Sequence, residues 1–222
     1  MKAHLIALTA WLTTLCASGL AQPNNSRAST SAGLDGLGAV TTLTDPERLE
    51  LATQLQASLA MFNSVVANLS PAQLAFRPEP KSWSLAECIE HVTLAELRFP
   101  GIVSEAMQKP ADPNFRRKIK TTDEAIRPRM MSRSWRAKSP EVFRPTGQFA
   151  TSELAIQTFQ TQRAKTMTYA SQTTDDLRNH YWRHPLTGHI DLYQTLLLMS
   201  AHLERHTAQM ERIKEAEAFP KQ

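Results

Sequence analysis

One run of apolar positions, alternately four and three residues apart, extends along the last part of the chain. This spacing places the side chains on one face of an α-helix that packs lengthwise against other helices. It predicts a helix from about Asp191 to Glu217, where Gln194 can close a capping box with Asp191. The positions of the run are Leu192, Leu196, Met199, Leu203, His206, Met210 and Ile213. A histidine therefore lies in the predicted core-facing stripe.

Three more segments predict long helices. They run from about Pro46 to Leu69, from Ser84 towards Met107, and from Thr151 to Ser171. Thr44 with Glu47 and Ser84 with Glu87 have the spacing of capping boxes. Pro100-Gly101 is expected to kink or interrupt the second helix, although the segment to Met107 can continue helical. No strand pattern of comparable quality is found. We therefore predict an all-α fold, a four-helix bundle over residues 44–217 with a long crossover between helices 2 and 3.

The predicted crossover, residues 108–150, is rich in arginine and lysine. A connection this long is uncommon in a compact domain unless it is functional or partly helical. It is either a solvated link between two helices or a basic rim that attracts anionic ligands. The segment lacks the interleaved aromatic residues of a nucleic-acid surface, and the formal net charge of +4 is too small to indicate one. No nucleic-acid partner is predicted.

The first residues have the pattern of a secretory signal. Lys2 supplies the positive charge, an apolar run from Leu5 to Leu15 follows, and small residues allow cleavage after Ala21. We predict a signal peptide over residues 1–21, a flexible linker over 22–43, and export to the periplasm or the extracellular space. The run is short for a transmembrane helix, so no stable membrane insertion is expected after cleavage, although a retained anchor is the alternative. Cleavage would leave Cys88 as the only cysteine. It lies on an apolar helix face, which favours a small buried core residue over a nucleophile.

Two histidines of the last helix, His202 and His206, are four residues apart. On a helix this spacing puts both rings on one face. With a third ring from a facing helix, for which His91 is the candidate, they could hold one divalent metal and leave a coordination position open. By itself the pair is weak evidence, because it lacks the glutamate of the zinc-protease signature.

Several segments in this order resemble the DinB-like superfamily (DinB/YfiT-like metal-dependent hydrolases). They are Trp83–His91 preceded by Arg77-Pro78, Pro140–Gly147, Phe159 with Arg163, His184-Pro185 with Gly188, and His202–Gln209. The resemblance covers roughly residues 45–215. It implies a four-helix bundle that binds a divalent metal, zinc or nickel, through His91, His202 and His206.

The resemblance does not fix a reaction. Relatives include thiol transferases and isomerases, but small thiols are scarce outside the cytoplasm, which weakens that interpretation for an exported chain. We therefore expect a metal-dependent hydrolase or transferase acting on an unknown small molecule. The alternative is a non-enzymatic exported metal-binding or scaffold bundle. A homodimer remains open in either case.

Two residues are candidates for catalysis. Glu87 lies one turn before His91 and could be a base or an acceptor for a ligand ring, although its capping role is the simpler interpretation. Gln209 lies one turn beyond His206 and could orient a ring or a ligand. Arg205 could bind a substrate anion or be a solvated helix charge. The remaining histidines near the last loop, His180, His184 and His189, are not predicted as metal ligands.

Overall fold

Four long helices form the bundle that the apolar spacing predicts. The computed structural model describes residues 42–134 and 139–221. The bundle helices are α1 (Asp45–Val65), α3 (Leu85–Met107), α5 (Ser152–Gln172) and α6 (Leu192–Lys214), and a short helix α2 (Pro71–Ala75) follows α1. The predicted signal peptide and nearly all of the predicted linker lie outside the described residues. Leu43, at the end of that linker, is buried in the core.

Capping boxes begin three of the four bundle helices. Thr44 with Glu47, Ser84 with Glu87, and Asp191 with Gln194 each pair the cap with the third helical residue in both directions. These contacts satisfy backbone N–H groups that have no partner within the helix. The starts of α1, α3 and α6 were therefore predictable from the sequence.

Two pairs of consecutive bundle helices, α1 with α3 and α5 with α6, do not lie side by side. α1 packs against α5 and α6, and α3 packs against the same two helices. The order around the bundle is therefore α1, α6, α3, α5, with α1 opposite α3 and α5 opposite α6. In this arrangement α3 and α6, which carry the three candidate ligands, face each other directly.

The core consists of two apolar clusters with a buried polar layer between them. One cluster contains Leu51 and Leu55 of α1 with Phe99 and Val103 of α3, and the other contains Phe62 and Val65 of α1 with Ile89 and Val92 of α3. Between them along the helices lie Ser58, Glu96, Arg163 and Thr166, all at most 3% exposed. Arg163 Nη2 donates to Glu96 Oε2 (2.7 Å), and Thr166 Oγ1 donates to Glu96 Oε1 (3.0 Å).

The described part of the crossover, residues 108–134 and 139–150, is partly helical and packs on the bundle through a few buried residues. It contains helix α4 (Asp123–Met131) and two short 3-10 helices, Phe115–Lys118 and Glu141–Phe143. α4 packs on α6 through the buried Ile126 and Met130. Arg127 pairs with Glu204 of α6 at 2.7 Å. Most of the other described residues of this segment are exposed, so it is a partly helical connection with a largely solvated surface.

A partly buried arginine ties the crossover to the start of α6. Arg178 pairs with Asp123 at 2.7 Å and with Asp191 at 3.0 Å, and it also pairs with Glu47 at the start of α1. Its guanidinium lies over the ring of Tyr193, 3.8 Å from the centroid. The Arg178 guanidinium therefore contacts acidic residues at the starts of α1, α4 and α6.

A two-stranded antiparallel hairpin between α5 and α6 was not predicted. Its strands are β1 (Tyr181–His184) and β2 (Gly188–Asp191), and Gly188 has a φ of +76°. Four-residue strands that carry polar residues give no usable alternation, so the pattern was too short to detect. His184-Pro185 and Gly188, identified in the sequence as a loop, form the turn of this hairpin.

The predicted end of α1 was wrong, and α3 shows the helical continuation to Met107 instead of an interruption at Pro100. α1 ends at Val65 rather than Leu69, because the chain turns through Asn68, whose φ is +55°. α3 continues without interruption through Pro100. Pro100 is exposed, while Phe99 and Val103 on either side of it are buried in the core. Their packing offsets the cost of the missing backbone hydrogen bond, on the order of 3 kcal/mol.

In the described part of the chain, none of the helices is both long enough and apolar enough to cross a membrane.

Candidate metal centre

The three histidines that the sequence singled out meet between α3 and α6. His91 lies in the second turn of α3, and His202 and His206 lie on successive turns of α6. One ring nitrogen from each lies within 4.8 Å of the others. His91 and His206 are 5% and 9% exposed, and His202 is partly buried.

One of the nitrogen–nitrogen separations matches the value expected around a small divalent ion. His91 Nε2 lies 3.3 Å from His202 Nε2. Two nitrogens bound to zinc at tetrahedral angles are roughly 3.3–3.4 Å apart, given Zn–N distances of about 2.0–2.1 Å. The ring centroids of the three pairs are 4.5–5.2 Å apart and the rings are steeply inclined to each other. Rings inclined in this way do not stack face to face.

Hydrogen bonds at Nδ1 fix the proton position on two of the rings. His91 Nδ1 donates to the carbonyl oxygen of Phe143 (2.7 Å), and His206 Nδ1 donates to Gln209 Oε1 (3.0 Å). With the proton held at Nδ1, the lone pair is at Nε2, which faces the other rings. Outer partners of this kind are usual for metal-binding histidines, because they set the tautomer and the ring orientation.

The surroundings keep the rings neutral, as metal binding requires. Burial lowers the pKa of His91, although its bond to Phe143 acts in the opposite direction. Burial, with repulsion from His206 and His91, lowers the pKa of His202 well below its ordinary value. Burial and the neighbouring His91 lower the pKa of His206 to about 3. At neutral pH each imidazole can therefore offer a lone pair.

An indole covers one side of the triad. Trp83 directly precedes the N-cap of α3, and its ring centroid lies 4.8 Å from that of His91 and 6.2 Å from that of His206, nearly parallel to the latter. This contact excludes water from that side of the two rings and restricts their rotation. The contact of Trp83 with ligands of both α3 and α6 could not be foreseen from the sequence.

Of the two catalytic candidates, Gln209 contacts the triad and Glu87 does not. Glu87 Oε2 accepts from the backbone N–H of Ser84 at 2.8 Å, and its carboxylate pairs with Arg77. These contacts lower the pKa of Glu87 although burial opposes them, so it is an ionised cap. Gln209 instead orients the ring of His206, one of the two roles considered for it.

A carboxylate that the sequence reasoning missed lies beside the site. Glu90, next to His91 on α3, is 7% exposed and accepts hydrogen bonds from the backbone of residues 146–148 in the crossover. The sequence signal was weak: a glutamate adjacent to a candidate ligand, and the turn Pro145-Thr146-Gly147. Neither of these two signals indicates that Glu90 contacts residues 146–148, which are more than fifty positions away in the sequence.

The other nearby histidines have separate contacts. His180 Nδ1 donates to the carbonyl of Ala106 (3.1 Å), and the exposed His189 meets the ring of Phe115 edge-on. His184 Nδ1 accepts the N–H groups of Leu186 and Thr187 within the hairpin turn. Cys88 is fully buried, and burial raises its pKa to about 12, so its thiol is not a nucleophile.

The fold and the triad together define a helical bundle with a three-histidine cluster that could hold a divalent metal. Residues 54–210 match the DinB superfamily, and the chain belongs to that family. A solved structure of YfiT from Bacillus subtilis is similar, with a TM-score of 0.54 and 10% identity over 84% of this chain and 97% of that chain. YfiT is described as a probable metal-dependent hydrolase with an unusual four-helix bundle topology. Its likeness confirms the predicted fold. A search among curated proteins finds no match.

Proposed function

We propose that this protein is an exported hydrolase that depends on a divalent metal, zinc or nickel, held by His91, His202 and His206. The observation that carries the proposal is the convergence of three neutral imidazoles, with their ligand nitrogens within 4.8 Å of one another and two tautomers fixed from outside. Family membership and the description of YfiT support it. Export rests on the predicted signal peptide.

The protein's own groups would orient the ligands and shape the site. Phe143 and Gln209 hold two rings in place, and Trp83 shields one side from water. Three protein ligands leave a divalent ion with an open position, and such an ion supplies Lewis-acid chemistry that polarises a substrate oxygen and activates water. Neither Gln209, an amide, nor Glu87, held by Arg77 and Ser84, is assigned as the general base.

The charges around α6 favour an anionic substrate. Arg205 Nη1 donates to the carbonyls of Met130 (2.8 Å) and Ser132 (2.7 Å), which brings Arg133 to this part of α6. Arg212 lies two turns beyond Arg205 on the same helix face. Burial and the neighbouring Arg212 and Arg133 lower the pKa of Arg205. Cations that repel each other beside a metal site would be stabilised by a carboxylate or phosphate group.

Metal titration of the protein, combined with hydrolysis assays, tests the proposal. Protein stripped with a chelator should bind one Zn²⁺ or Ni²⁺ per chain in isothermal titration, and His202→Ala or His206→Ala should abolish binding. His189→Ala is a matched control, since it removes an exposed histidine outside the triad. Metal-dependent cleavage of p-nitrophenyl phosphate or p-nitrophenyl acetate should disappear with the same variants. Unchanged binding in the triad variants would refute the site. Binding without hydrolysis of any ester, amide or phosphate tested would favour the non-enzymatic bundle.

A further inference from the structure

The crossover is attached to α3 by two adjacent side chains, Glu90 and His91. The Glu90 carboxylate accepts three backbone N–H groups: those of Thr146 (3.0 Å), Gly147 (3.0 Å) and Gln148 (2.9 Å). Hydrogen bonds to a charged acceptor are about twice as strong as those between neutral groups. Three of them on one carboxylate that is 7% exposed make this the firmest described attachment of the 143–148 segment.

The geometry of the turn depends on Gly147. Its φ is +78°, in the left-handed region that glycine adopts without strain. With this conformation three successive N–H groups point to one side, as in the anion-binding concavities that successive backbone amides form. An added Cβ at Gly147 would meet no atom within 4 Å, so a substitution there would act through backbone strain alone.

The same segment supplies the acceptor that orients His91. Phe143, three residues before Thr146, accepts the His91 Nδ1 proton at 2.7 Å. If the segment moved away, Nδ1 would lose this acceptor, and the proton could transfer to Nε2 and block the lone pair that faces His202. The position of the Phe143 carbonyl therefore depends on the contacts that hold residues 146–148.

We infer that Glu90 is a positioning residue for the metal centre: it fixes the crossover so that the Phe143 carbonyl holds His91 in its ligating tautomer. This inference rests on the proposed metal site and adds a residue that touches neither metal nor substrate. Loss of an outer partner of a ligand histidine typically weakens metal affinity 10- to 100-fold. Loss of Glu90 should also weaken metal affinity, because Glu90 holds the segment that carries the Phe143 carbonyl, the outer partner of His91.

The first test compares Zn²⁺ affinity in two matched glutamate variants of the full chain. Glu90→Gln should weaken binding about 10-fold or more, because an amide cannot accept three N–H groups. Glu90→Asp should also weaken it, since the charge is kept but the reach is shortened. Glu87→Gln is the control: it alters a carboxylate one turn earlier that also accepts a backbone N–H, and affinity should stay within about 2-fold. The visible spectrum of the Co²⁺-loaded protein should change in the Glu90 variants only.

A second variant separates position from charge. Gly147→Ala keeps Glu90 and strains the turn, and it should weaken Zn²⁺ binding in the same direction. The double variant Glu90→Gln with Gly147→Ala should bind Zn²⁺ only slightly less tightly than whichever single variant binds it less tightly. Both changes release the same contact, the one between Glu90 and residues 146–148. Wild-type affinity and an unchanged Co²⁺ spectrum in Glu90→Gln would overturn the inference. Absence of Zn²⁺ binding in the wild-type protein would instead refute the proposed metal site, and this role for Glu90 with it.

Discussion

Two buried polar clusters cross this bundle, and they are built on opposite principles. In the layer of Glu96, Arg163 and Thr166, charges of opposite sign neutralise each other through hydrogen bonds of 2.7 and 3.0 Å. In the triad, three groups of the same kind face one another. The first cluster is balanced within the protein. The second lowers the pKa of its own members by burial and mutual repulsion, an arrangement that favours a bound cation over a bound proton.

The outer contacts of the clusters differ as well. Arg163 reaches Ser58 and Glu96, so its partners come from α1 and α3 and tie the bundle together. The triad's outer contacts, to Phe143 and Gln209, orient the rings and do not join one bundle helix to another. The polar layer therefore has the properties of a structural device, and the triad has those of a binding site.

The largest effect is expected from breaking the balanced pair. Arg163→Met leaves the Glu96 carboxylate buried without its cation, and should lower the free energy of unfolding by about 3–5 kcal/mol. Urea denaturation monitored by circular dichroism measures this. Zn²⁺ affinity of the folded variant should be unchanged.

The double variant Arg163→Met with Glu96→Leu is the control, because it removes both charges. It should regain most of the lost stability. A double variant as unstable as the single one would show that the pair, and not the uncompensated charge, stabilises the bundle.

Metal should stabilise the protein through the triad alone. At a free Zn²⁺ concentration about 100-fold above Kd, the free energy of unfolding should rise by about 2.7 kcal/mol, since the ion binds the folded state. Chelation should reverse the rise, and His206→Ala should show none. If Zn²⁺ stabilised His206→Ala as much as the wild type, the ion would bind outside the triad. The triad would then not differ from the Glu96–Arg163 layer as a metal-binding site.

His184 provides a third case, a partly buried imidazole that is hydrogen-bonded within its own turn. Its Nδ1 accepts two backbone N–H groups, and burial lowers its pKa to about 4. On acidification the unfolded chain takes up the proton first, so stability is full above the ordinary pKa and falls as pH drops towards 4. We expect the metal-free protein to lose about 1–2 kcal/mol from this residue between about pH 7.5 and about pH 5.

His184→Asn isolates that contribution. The amide oxygen can accept the same turn N–H groups but does not titrate. The pH dependence of unfolding should therefore be shallower than in the wild type by about 1–2 kcal/mol over this range. Parallel curves for the two proteins would show that protonation of His184 is not coupled to folding.

The smallest effect is expected at Gln209. Gln209→Leu removes the acceptor for His206 Nδ1 but keeps the side-chain volume, and should weaken Zn²⁺ binding about 10-fold. Isothermal titration measures the change, with Gln209→Glu as the comparison, because a carboxylate still accepts the proton and should retain affinity. Affinity unchanged by the leucine would leave Gln209 outside the metal centre.

The sequence predicted the bundle because its signals are local. The run of apolar positions from Leu192 to Ile213 relates each residue to neighbours one turn away. The capping boxes at Thr44, Ser84 and Asp191 likewise join residues three positions apart. The three histidines could be proposed for the same reason, helped by the family resemblance. Their meeting across α3 and α6 is a tertiary contact that only the structure shows.

Sequence reasoning missed the contacts between the crossover and the residues Glu90 and His91. The partner of His91 is a backbone carbonyl, and the partners of Glu90 are backbone N–H groups, so no side-chain identity signals either contact. Glu87 was a candidate on helix position alone, yet Arg77 and Ser84 engage it. The hairpin escaped notice because four-residue strands carry too little pattern.

The placement of α1 opposite α3, and of α5 opposite α6, has a consequence for how the chain folds. Neither α1 with α3 nor α5 with α6 can form a local helical hairpin, so each interface of the bundle joins segments distant in sequence. Proteins dominated by such contacts fold more slowly than those built from adjacent pairs. The triad needs α3, α6 and the docked crossover at once, so the capacity to bind an ion should arise only in the final stage of folding. The kinetics of metal capture would then record the moment at which the native topology is complete.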